Sequence, residues 1–215
     1  MASLSLAKPE TMFLAGYLRQ LTRWSPEAAV RVQARGKSAG FYGGPLGEVI
    51  TFIALPLANE VDEYDLTVSA GRLRDLIGDV RTREGVTELV LPDETTLPAV
   101  LAVLPPSSGW SPPFTTTAGD LAAQVDPEVA KLDAQVQALP IARRDERMRE
   151  RWSEPAWSAL PFGMVHVARA HGFLNLAPVQ VGASTNGPWK RLQSPAGQVF
   201  ARVSDGLARL LIVKE

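Results

Sequence analysis

Residues 44–53 read Gly-Pro-Leu-Gly-Glu-Val-Ile-Thr-Phe-Ile, a turn followed by a strand. Pro45, at the second turn position, has its φ angle already set, and Gly47, at the fourth, can adopt the positive φ of a bulge into the returning strand. The following residues, Glu48–Leu55, are rich in β-branched and aromatic side chains and are apolar on both faces, which is typical of a strand within a sheet. This stretch predicts a β-hairpin.

The turn pattern occurs a second time, as Ser194-Pro195-Ala196-Gly197. A second echo pairs Arg23-Trp24-Ser25 with Arg151-Trp152-Ser153. The echoes fit either an internal duplication of a helix-plus-hairpin unit or two unrelated hairpins. Under both interpretations Gly47 and Gly197 are predicted to have positive φ.

Apolar periodicity predicts five helices and a larger number of short strands. Asp126 is expected to cap a helix, since aspartate is a good N-cap residue and the following Pro127 suits the first helical position. The predicted helices are Pro9–Arg23, Ser69–Val80, Asp126–Leu139, Ile141–Arg151 and Ser153–His171, the last bent or split at Pro161. The predicted strands are Ala28–Arg35, Ala39–Gly43, Glu48–Leu55, Asp65–Val68, Glu88–Leu91, Ala99–Leu104, Val179–Ala183, Trp189–Gln193, Gln198–Val203 and Leu210–Val213.

This order of elements predicts an α+β fold in two parts. Residues 1–104 are expected to form a mainly antiparallel sheet with helices, and residues 120–215 a helical segment followed by a second, small β-hairpin sheet. Residues 105–119 are rich in Pro, Ser and Thr, which predicts a linker or an extended arm with Trp110 and Phe114 pinned to the body.

Composition excludes several classes of site. The chain has 215 residues, of which 46% are hydrophobic, so it can bury a core. It has no cysteine, which excludes disulfides and thiolate chemistry, and only two histidines, which excludes an all-histidine zinc site. The residues Met1–Glu10 lack the basic and long apolar regions of a secretion signal. We therefore expect a cytoplasmic protein without membrane contact.

Arginine outnumbers lysine 17 to 5, and Ala, Val, Leu, Gly and Pro are abundant. In this composition the chain resembles uncharacterised proteins of high-GC, actinobacterial-type genomes. The resemblance implies no activity and assigns no residue a role.

No constellation of residues predicts catalysis, a cofactor or a metal. Gly36-Lys37-Ser38 lacks the upstream glycine of a phosphate-binding loop and is expected to be a hairpin loop. His166 and His171 are five positions apart and do not share a helix face. The acidic residues Glu60, Asp62, Glu63 and Asp65 lack the spacing of a calcium loop and predict a solvated acidic loop.

Charge is distributed unevenly along the chain. Residues 61–119 contain nine acidic and four basic residues, whereas residues 141–215 contain six acidic and eleven basic residues. Arg143, Arg147 and Arg151 form a basic stripe on one helix face, which suits either phosphate contacts or a solvated surface with local ion pairs. The helices and basic hairpin of this region also suit a winged-helix-like nucleic-acid-binding part.

Trp189, Lys190 and Arg191 follow a predicted turn and form the candidate partner-binding residues. A large aromatic flanked by cations suits an anchor inside a polar rim, and the alternative is a core tryptophan packed on Trp157 or Phe173. The leading hypothesis is a non-catalytic protein-binding or regulatory protein, with a protein partner or a second copy of the chain. The alternatives are a nucleic-acid-binding regulator and a hydrolase that uses carboxylates alone.

Overall fold

A computed structural model describes residues 2–79, 85–175 and 178–203 of the chain. The contacts divide the chain into two compact units, Met1–Leu104 and Pro105–Glu215. Helices and antiparallel strands build both units, so the fold is α+β, as predicted. The predicted strand Leu210–Val213 and the end of the predicted helix at Val80 lie outside the described residues.

Unit 1, Met1–Leu104, begins with a short strand that runs directly into a long helix. Its elements are β1 (Ser3–Ala7), α1 (Lys8–Trp24), β2 (Ala29–Leu46), β3 (Val49–Ser69), α2 (Ala70–Asp79), β4 (Val86–Val90) and α3 (Ala99–Ala102). Strand β1 pairs with β4, and β2 pairs with β3, both antiparallel. The predicted helix at the start of the chain is confirmed, whereas β1 was not predicted.

The hairpin of β2 and β3 is longer than the sequence predicted. Its register runs from Ala29 opposite Ser69 to Leu46 opposite Val49, with shifts around Gly36. Gly36-Lys37-Ser38 therefore lies inside β2 and is not a hairpin loop, because Gly36 takes φ 56° at a bulge that does not reverse the chain. The acidic residues at 60–65 likewise lie in β3 and not in a loop.

The two short helices of unit 1, α2 and α3, differ in how well the sequence predicted them. The Ser69 hydroxyl accepts a hydrogen bond from the Arg72 N–H at 3.3 Å, as a helix N-cap does. The residues predicted as a strand at 99–104 instead form the single turn α3, and that prediction is wrong. Pro98 fixes the entry to this turn, and the Arg31 guanidinium donates to the Leu101 carbonyl at 2.7 Å.

Unit 2, Pro105–Glu215, also begins with a short strand that leads into a long helix. Its elements are β5 (Phe114–Thr117), α4 (Ala118–Ala138), α5 (Ile141–Ser153), α6 (Phe162–Ala170), β6 (Gln180–Asn186), β7 (Trp189–Ser194) and β8 (Gly197–Arg202). The four strands pair antiparallel in the order β5-β6-β7-β8. This sheet, with one strand before the helices, differs from the two-stranded wing of a winged helix.

Helix α4 begins at Ala118, well before the predicted cap at Asp126. The Thr117 hydroxyl accepts from the Asp120 N–H at 3.0 Å and caps the helix. Asp126 lies inside the helix, next to Pro127, and makes two hydrogen bonds of 2.8 and 3.0 Å with Arg169 of α6. The N-cap prediction is wrong because Asp126 binds a guanidinium, and because a helix with an interior proline continues here.

The predicted helix from Ser153 to His171 is split at Pro161. Between Ser153 and Pro161 the only helical element is a single 3₁₀ turn, Trp157–Ala159, and the α-helix lies after Pro161. Helix α6 starts at Phe162, so Trp157 and Leu160 lie in the loop before it. The C-terminal stop is confirmed: His171 is the C-cap, and Gly172 has φ 79°.

Both glycines of the repeated turn have positive φ, as predicted. Gly47 has φ 49° and Gly197 has φ 156°. Their positions differ, since Gly47 is the first of two residues between β2 and β3, whereas Gly197 follows the Pro195-Ala196 turn and begins β8. Only the second turn has proline in the predicted place.

Acidification is expected to destabilise unit 2 through His171, the C-cap of α6. Burial lowers the pKa of His171 from 6.5 to about 4, so the folded chain holds the ring neutral while the unfolded chain protonates it more readily. This contribution is fully present above pH 6.5 and is lost as pH falls towards 4. Urea unfolding at a series of pH values should show the fall, and His171→Asn should flatten it; an equal slope in both proteins contradicts the assignment.

Candidate groove on the second unit

A groove runs between α4 and the segment formed by α5 and the loop that follows it. We call it the α4–α5 groove. One wall is a stripe of α4 at helical spacing, and the other comes from α5, the loop and the start of α6. The lining residues are Leu121, Gln124, Val125, Glu128, Lys131, Leu132, Gln135, Arg147, Arg151, Glu154, Ala156, Trp157 and Phe162.

One end of the groove is a cavity of about 310 Å³, which we call the apolar cavity because its floor is apolar, although Gln124, Glu128 and Arg151 also line it. Its floor is formed by the buried side chains of Leu121, Val125 and Phe162. Half-buried Trp157 forms part of its wall. A cavity of this size, with an apolar floor and partly polar walls, has room for a large side chain of a ligand.

The other end is a polar cavity of about 280 Å³, lined by residues that include Lys131, Gln135 and Arg147. The Lys131 ammonium lies 2.6 Å from Glu128, and the Arg147 guanidinium donates to Gln135 at 3.1 Å. The hydrogen bond from Lys131 is the main reason why the pKa of Glu128 is lowered. The polar cavity thus carries charges of both signs, held in pairs.

An aromatic pair, exposed Phe114 and half-buried Trp157, lies at the apolar end. The Phe114 and Trp157 rings lie 5.5 Å apart in a tilted arrangement, and Phe114 is 60% exposed although it is a large apolar residue. Phe114 comes from β5, whose only paired neighbour among the described strands is β6. Exposed aromatic surface beside an apolar cavity is typical of a binding site.

The loop that carries Trp157 has strained backbone. Ser158 and Ala159 both have left-handed φ angles, 52° and 57°, although neither is glycine. Such a conformation costs roughly 1–2 kcal/mol per residue. Hydrogen bonds close the loop around them, from Ala156 N–H to the Leu160 carbonyl at 2.7 Å and from Phe162 N–H to the Glu154 carbonyl at 2.8 Å. Strain of this kind is concentrated at functional sites.

The sequence-based partner residues lie elsewhere, on β7. Trp189 is buried, with 8% of its surface exposed, which favours the core alternative over the anchor. Lys190 is half-buried. Arg191 stacks on the Trp110 ring at 4.5 Å, and burial lowers its pKa. The Trp110 ring also contacts Phe200 at 5.7 Å, so this part of the Pro-rich segment is an arm packed on the sheet.

Each arginine of the predicted basic stripe on α5 has a carboxylate close by. Arg143 lies 3.4 Å from Glu146, and Arg147 lies 3.5 Å from Glu150. Arg151 lies 2.8 Å from Glu154 and is the one member that enters both ends of the α4–α5 groove. The stripe as a phosphate-binding surface stays a hypothesis, and these pairs reduce its positive charge.

A second basic surface, on α1 and α2 of unit 1, was not predicted. Arg19, Arg23 and Arg72 are exposed, and no carboxylate lies within 4 Å of them in the described part of the chain. Arg74 joins the two helices by donating to the Thr22 hydroxyl at 3.0 Å. We call Arg19, Arg23 and Arg72 the α1–α2 basic surface. The spacing Arg19-x-x-x-Arg23 was visible in the sequence, whereas the packing of α1 on α2 was not.

Two of the acidic residues of β3, Glu63 and Asp65, pair with arginines of β2, Glu63 with Arg35 at 3.7 Å and Asp65 with Arg31. Asp65 accepts from Arg31 at 2.8 and 2.7 Å and from Gln33 at 2.8 Å. The Arg31 hydrogen bond is the main cause that lowers the pKa of Asp65. Within residues 2–79, 85–175 and 178–203, no three acidic or histidine side chains come together as a metal site would require. In the same residues, no helix has the length and apolar character needed to span a bilayer.

Comparison with known proteins gives two matches to family models. Residues 1–99 match a domain of unknown function (DUF8010), and residues 105–206 match a second domain of unknown function (DUF8185). The boundary between the matches falls where the two compact units meet in sequence. A search of curated proteins finds no match.

Solved structures show what the fold is similar to. The DNA polymerase III subunit beta from Pseudomonas aeruginosa matches with a TM-score of 0.59 and 12% identity, over 100% of this chain and 69% of that one. Caulobacter crescentus pol III beta matches with a TM-score of 0.60 and 14% identity, over 95% of this chain and 66% of that one. A Pseudomonas aeruginosa sliding clamp bound to griselimycin matches with a TM-score of 0.56 and 13% identity, over 95% of this chain and 65% of that one. The chain spans about two thirds of these proteins, and the similarity establishes the fold alone.

Proposed function

We propose that the protein is a non-catalytic scaffold with a clamp-like fold, and that the α4–α5 groove binds an apolar segment of a partner protein. The observation that carries this proposal is the contact between exposed Phe114 and half-buried Trp157, beside a cavity with an apolar floor. Aromatic residues and arginine dominate binding energy at protein interfaces, and this groove contains both. The griselimycin-bound clamp supports the idea that a fold of this kind can present a ligand-binding surface.

The carboxylates of the groove favour binding over hydrolysis. Glu128 and Glu154 both accept hydrogen bonds from Arg151, at 3.1 and 2.8 Å. The pKa of Glu128 is lowered, which keeps it ionised, whereas a general acid needs a raised pKa. Glu128 therefore lacks the raised pKa that the acid of a two-carboxylate hydrolase needs.

Panning a random peptide library on the full chain tests the proposal. We expect enriched peptides with a large aromatic or leucine side chain, and a loss of affinity of more than about tenfold for Trp157→Ala and for Phe114→Ala. Ile141→Ala is the matched control, because Ile141 is apolar, 81% exposed and outside the groove. Failure to enrich any peptide, or equal binding by all three variants, contradicts the proposal. Sedimentation of the unliganded chain shows whether a second copy fills the groove instead.

Nucleic-acid binding is the second candidate, and the α1–α2 basic surface favours it. Arg19 and Arg23, one turn apart on α1, and Arg72 on α2 are exposed, and no carboxylate of the described residues lies within 4 Å of them; exposed cations of this kind attract phosphates. Arg143 and Arg147 of α5 each have a carboxylate within 4 Å, so their charge is partly neutralised. The candidate nucleic-acid-binding surface is therefore on unit 1, and not on the C-terminal third of the chain as the sequence predicted.

Charge reversal distinguishes the two surfaces. If DNA binds at unit 1, the triple change Arg19→Glu, Arg23→Glu and Arg72→Glu should abolish binding of a mixed-sequence duplex at low salt. Each lost phosphate contact should reduce the salt slope by roughly 0.9. Arg143→Glu with Arg147→Glu is the control and should retain most of the affinity. Fluorescence anisotropy measures both, and absence of binding by the unaltered protein at low salt rules out this candidate.

A further inference from the structure

Arg151 and Glu128 line both cavities of the α4–α5 groove and stand between them. On one side lies the apolar cavity of about 310 Å³, and on the other the polar cavity of about 280 Å³. A ligand longer than one side chain has to pass the point where these two residues meet. The ion pair therefore decides whether the groove is two small cavities or one continuous site.

Three contacts hold the Arg151 side chain in this position. Its guanidinium donates to Glu128 at 3.1 Å and to Glu154 at 2.8 Å, and it lies over the Phe162 ring at 4.2 Å. The side chain is only 17% exposed. Glu128 has a second partner, Lys131 at 2.6 Å, and keeps it when Arg151 moves. Opening the pair thus costs Arg151 an acceptor, whereas Glu128 remains paired.

We propose that Arg151 is a latch across the α4–α5 groove, and that the segment which opens it combines a large apolar side chain with a carboxylate. The apolar side chain occupies the cavity floored by Leu121, Val125 and Phe162. The incoming carboxylate replaces Glu128 as the acceptor for Arg151, which would otherwise lose a charged hydrogen bond. This inference rests on the proposed function, since it describes how the same groove accepts its partner.

Two dyes separate the parts of the proposal without any partner protein. Nile red is uncharged and reports an open apolar groove, whereas ANS adds a sulfonate that can mimic the carboxylate. Glu128→Gln weakens the hold on Arg151 because a neutral amide oxygen replaces a charged acceptor, although Glu154 still accepts from the guanidinium. Arg151→Met removes the cation while keeping a long apolar stem. We expect both variants to bind Nile red about two- to fivefold more tightly, as the loss of a partly exposed ion pair allows. We expect the affinity for ANS to rise by a similar factor in Glu128→Gln but not in Arg151→Met, which lacks the cation that would bind the sulfonate.

Controls locate the dye and keep the result decisive. Adding Trp157→Ala to each variant should remove the gain, and Arg143→Met, an arginine outside the groove, should leave dye binding unchanged. Unchanged Nile red binding in Glu128→Gln overturns the latch, whether or not Arg151→Met folds. An equal ANS gain in both variants overturns the preference for a carboxylate. A gain in dye binding without any selected peptide leaves the latch in place and rejects the protein-binding function.

Discussion

Replacing Trp189 with alanine should lower the free energy of unfolding by about 3–5 kcal/mol, because a large buried aromatic leaves both lost transfer energy and a cavity. Trp189 is the first residue of β7, lies opposite Asn186 and Arg202, and is only 8% exposed. The backbone around it is tied down, since the Val203 N–H donates to the Pro188 carbonyl at 2.8 Å. The surrounding residues can therefore relax only slightly into the cavity that the substitution leaves.

Urea unfolding at constant pH measures this effect, with Lys190→Ala as the matched neighbour. Lys190 is half-buried and on the same strand, and its truncation should change stability by less than about 1 kcal/mol. A Trp189→Ala protein that unfolds at the same urea concentration as the original, yet loses a partner, restores the anchor hypothesis. A large shift with an unchanged m-value establishes Trp189 as core.

Local patterns predicted most of the elements where the relevant forces are local. Helix α1 follows from an apolar stripe, and the Ser69 cap and the Gly172 stop follow from hydrogen-bonding and backbone rules that act within one turn. The hairpin strand after Gly47 follows from its run of β-branched residues. In each case the neighbours in sequence are also the interaction partners.

The misassigned elements depend on residues far away in sequence. Asp126 has the pattern of a helix cap, but Arg169, 43 positions later, binds it inside α4. The turn α3 has the composition of a strand. Arg31, 70 positions earlier, donates a hydrogen bond to the carbonyl of Leu101 in this turn. Sequence periodicity carries no information on such pairs, which is why helix boundaries and the short turn were missed.

The candidate groove was largely beyond sequence reasoning for the same reason. Phe114 and Trp157 meet across 43 positions, and no spacing rule connects a β-strand with a loop between two prolines. Arg151 was singled out for its charge and position on a helix face, yet its ring contact with Phe162 and its pair with Glu128 give it a different environment. Phe114 was expected to be pinned to the body; its backbone pairs with β6 opposite Ala183, and its exposed ring contacts Trp157.

Replacing Gly197 with alanine should destabilise the protein by about 2–4 kcal/mol, through strain and overpacking together. Gly197 has φ 156°, and a Cβ atom there would lie 2.6–2.9 Å from three carbons of the Phe173 ring. Phe173 is 3% exposed and its ring also lies against His171, so it cannot swing away into solvent. Both the backbone and the packed ring therefore resist the added methyl group.

Gly47→Ala separates the two causes, because Gly47 has φ 49° but nothing lies within 4 Å of the position of its Cβ. Only the backbone term applies there, and the expected loss is about 1 kcal/mol. The difference between the two variants in urea unfolding then measures the Phe173 contact. In the Phe173→Leu background, Gly197→Ala should cost less than in the original protein, since a smaller side chain makes room for the methyl group. Equal losses at the two glycines show that φ alone accounts for both.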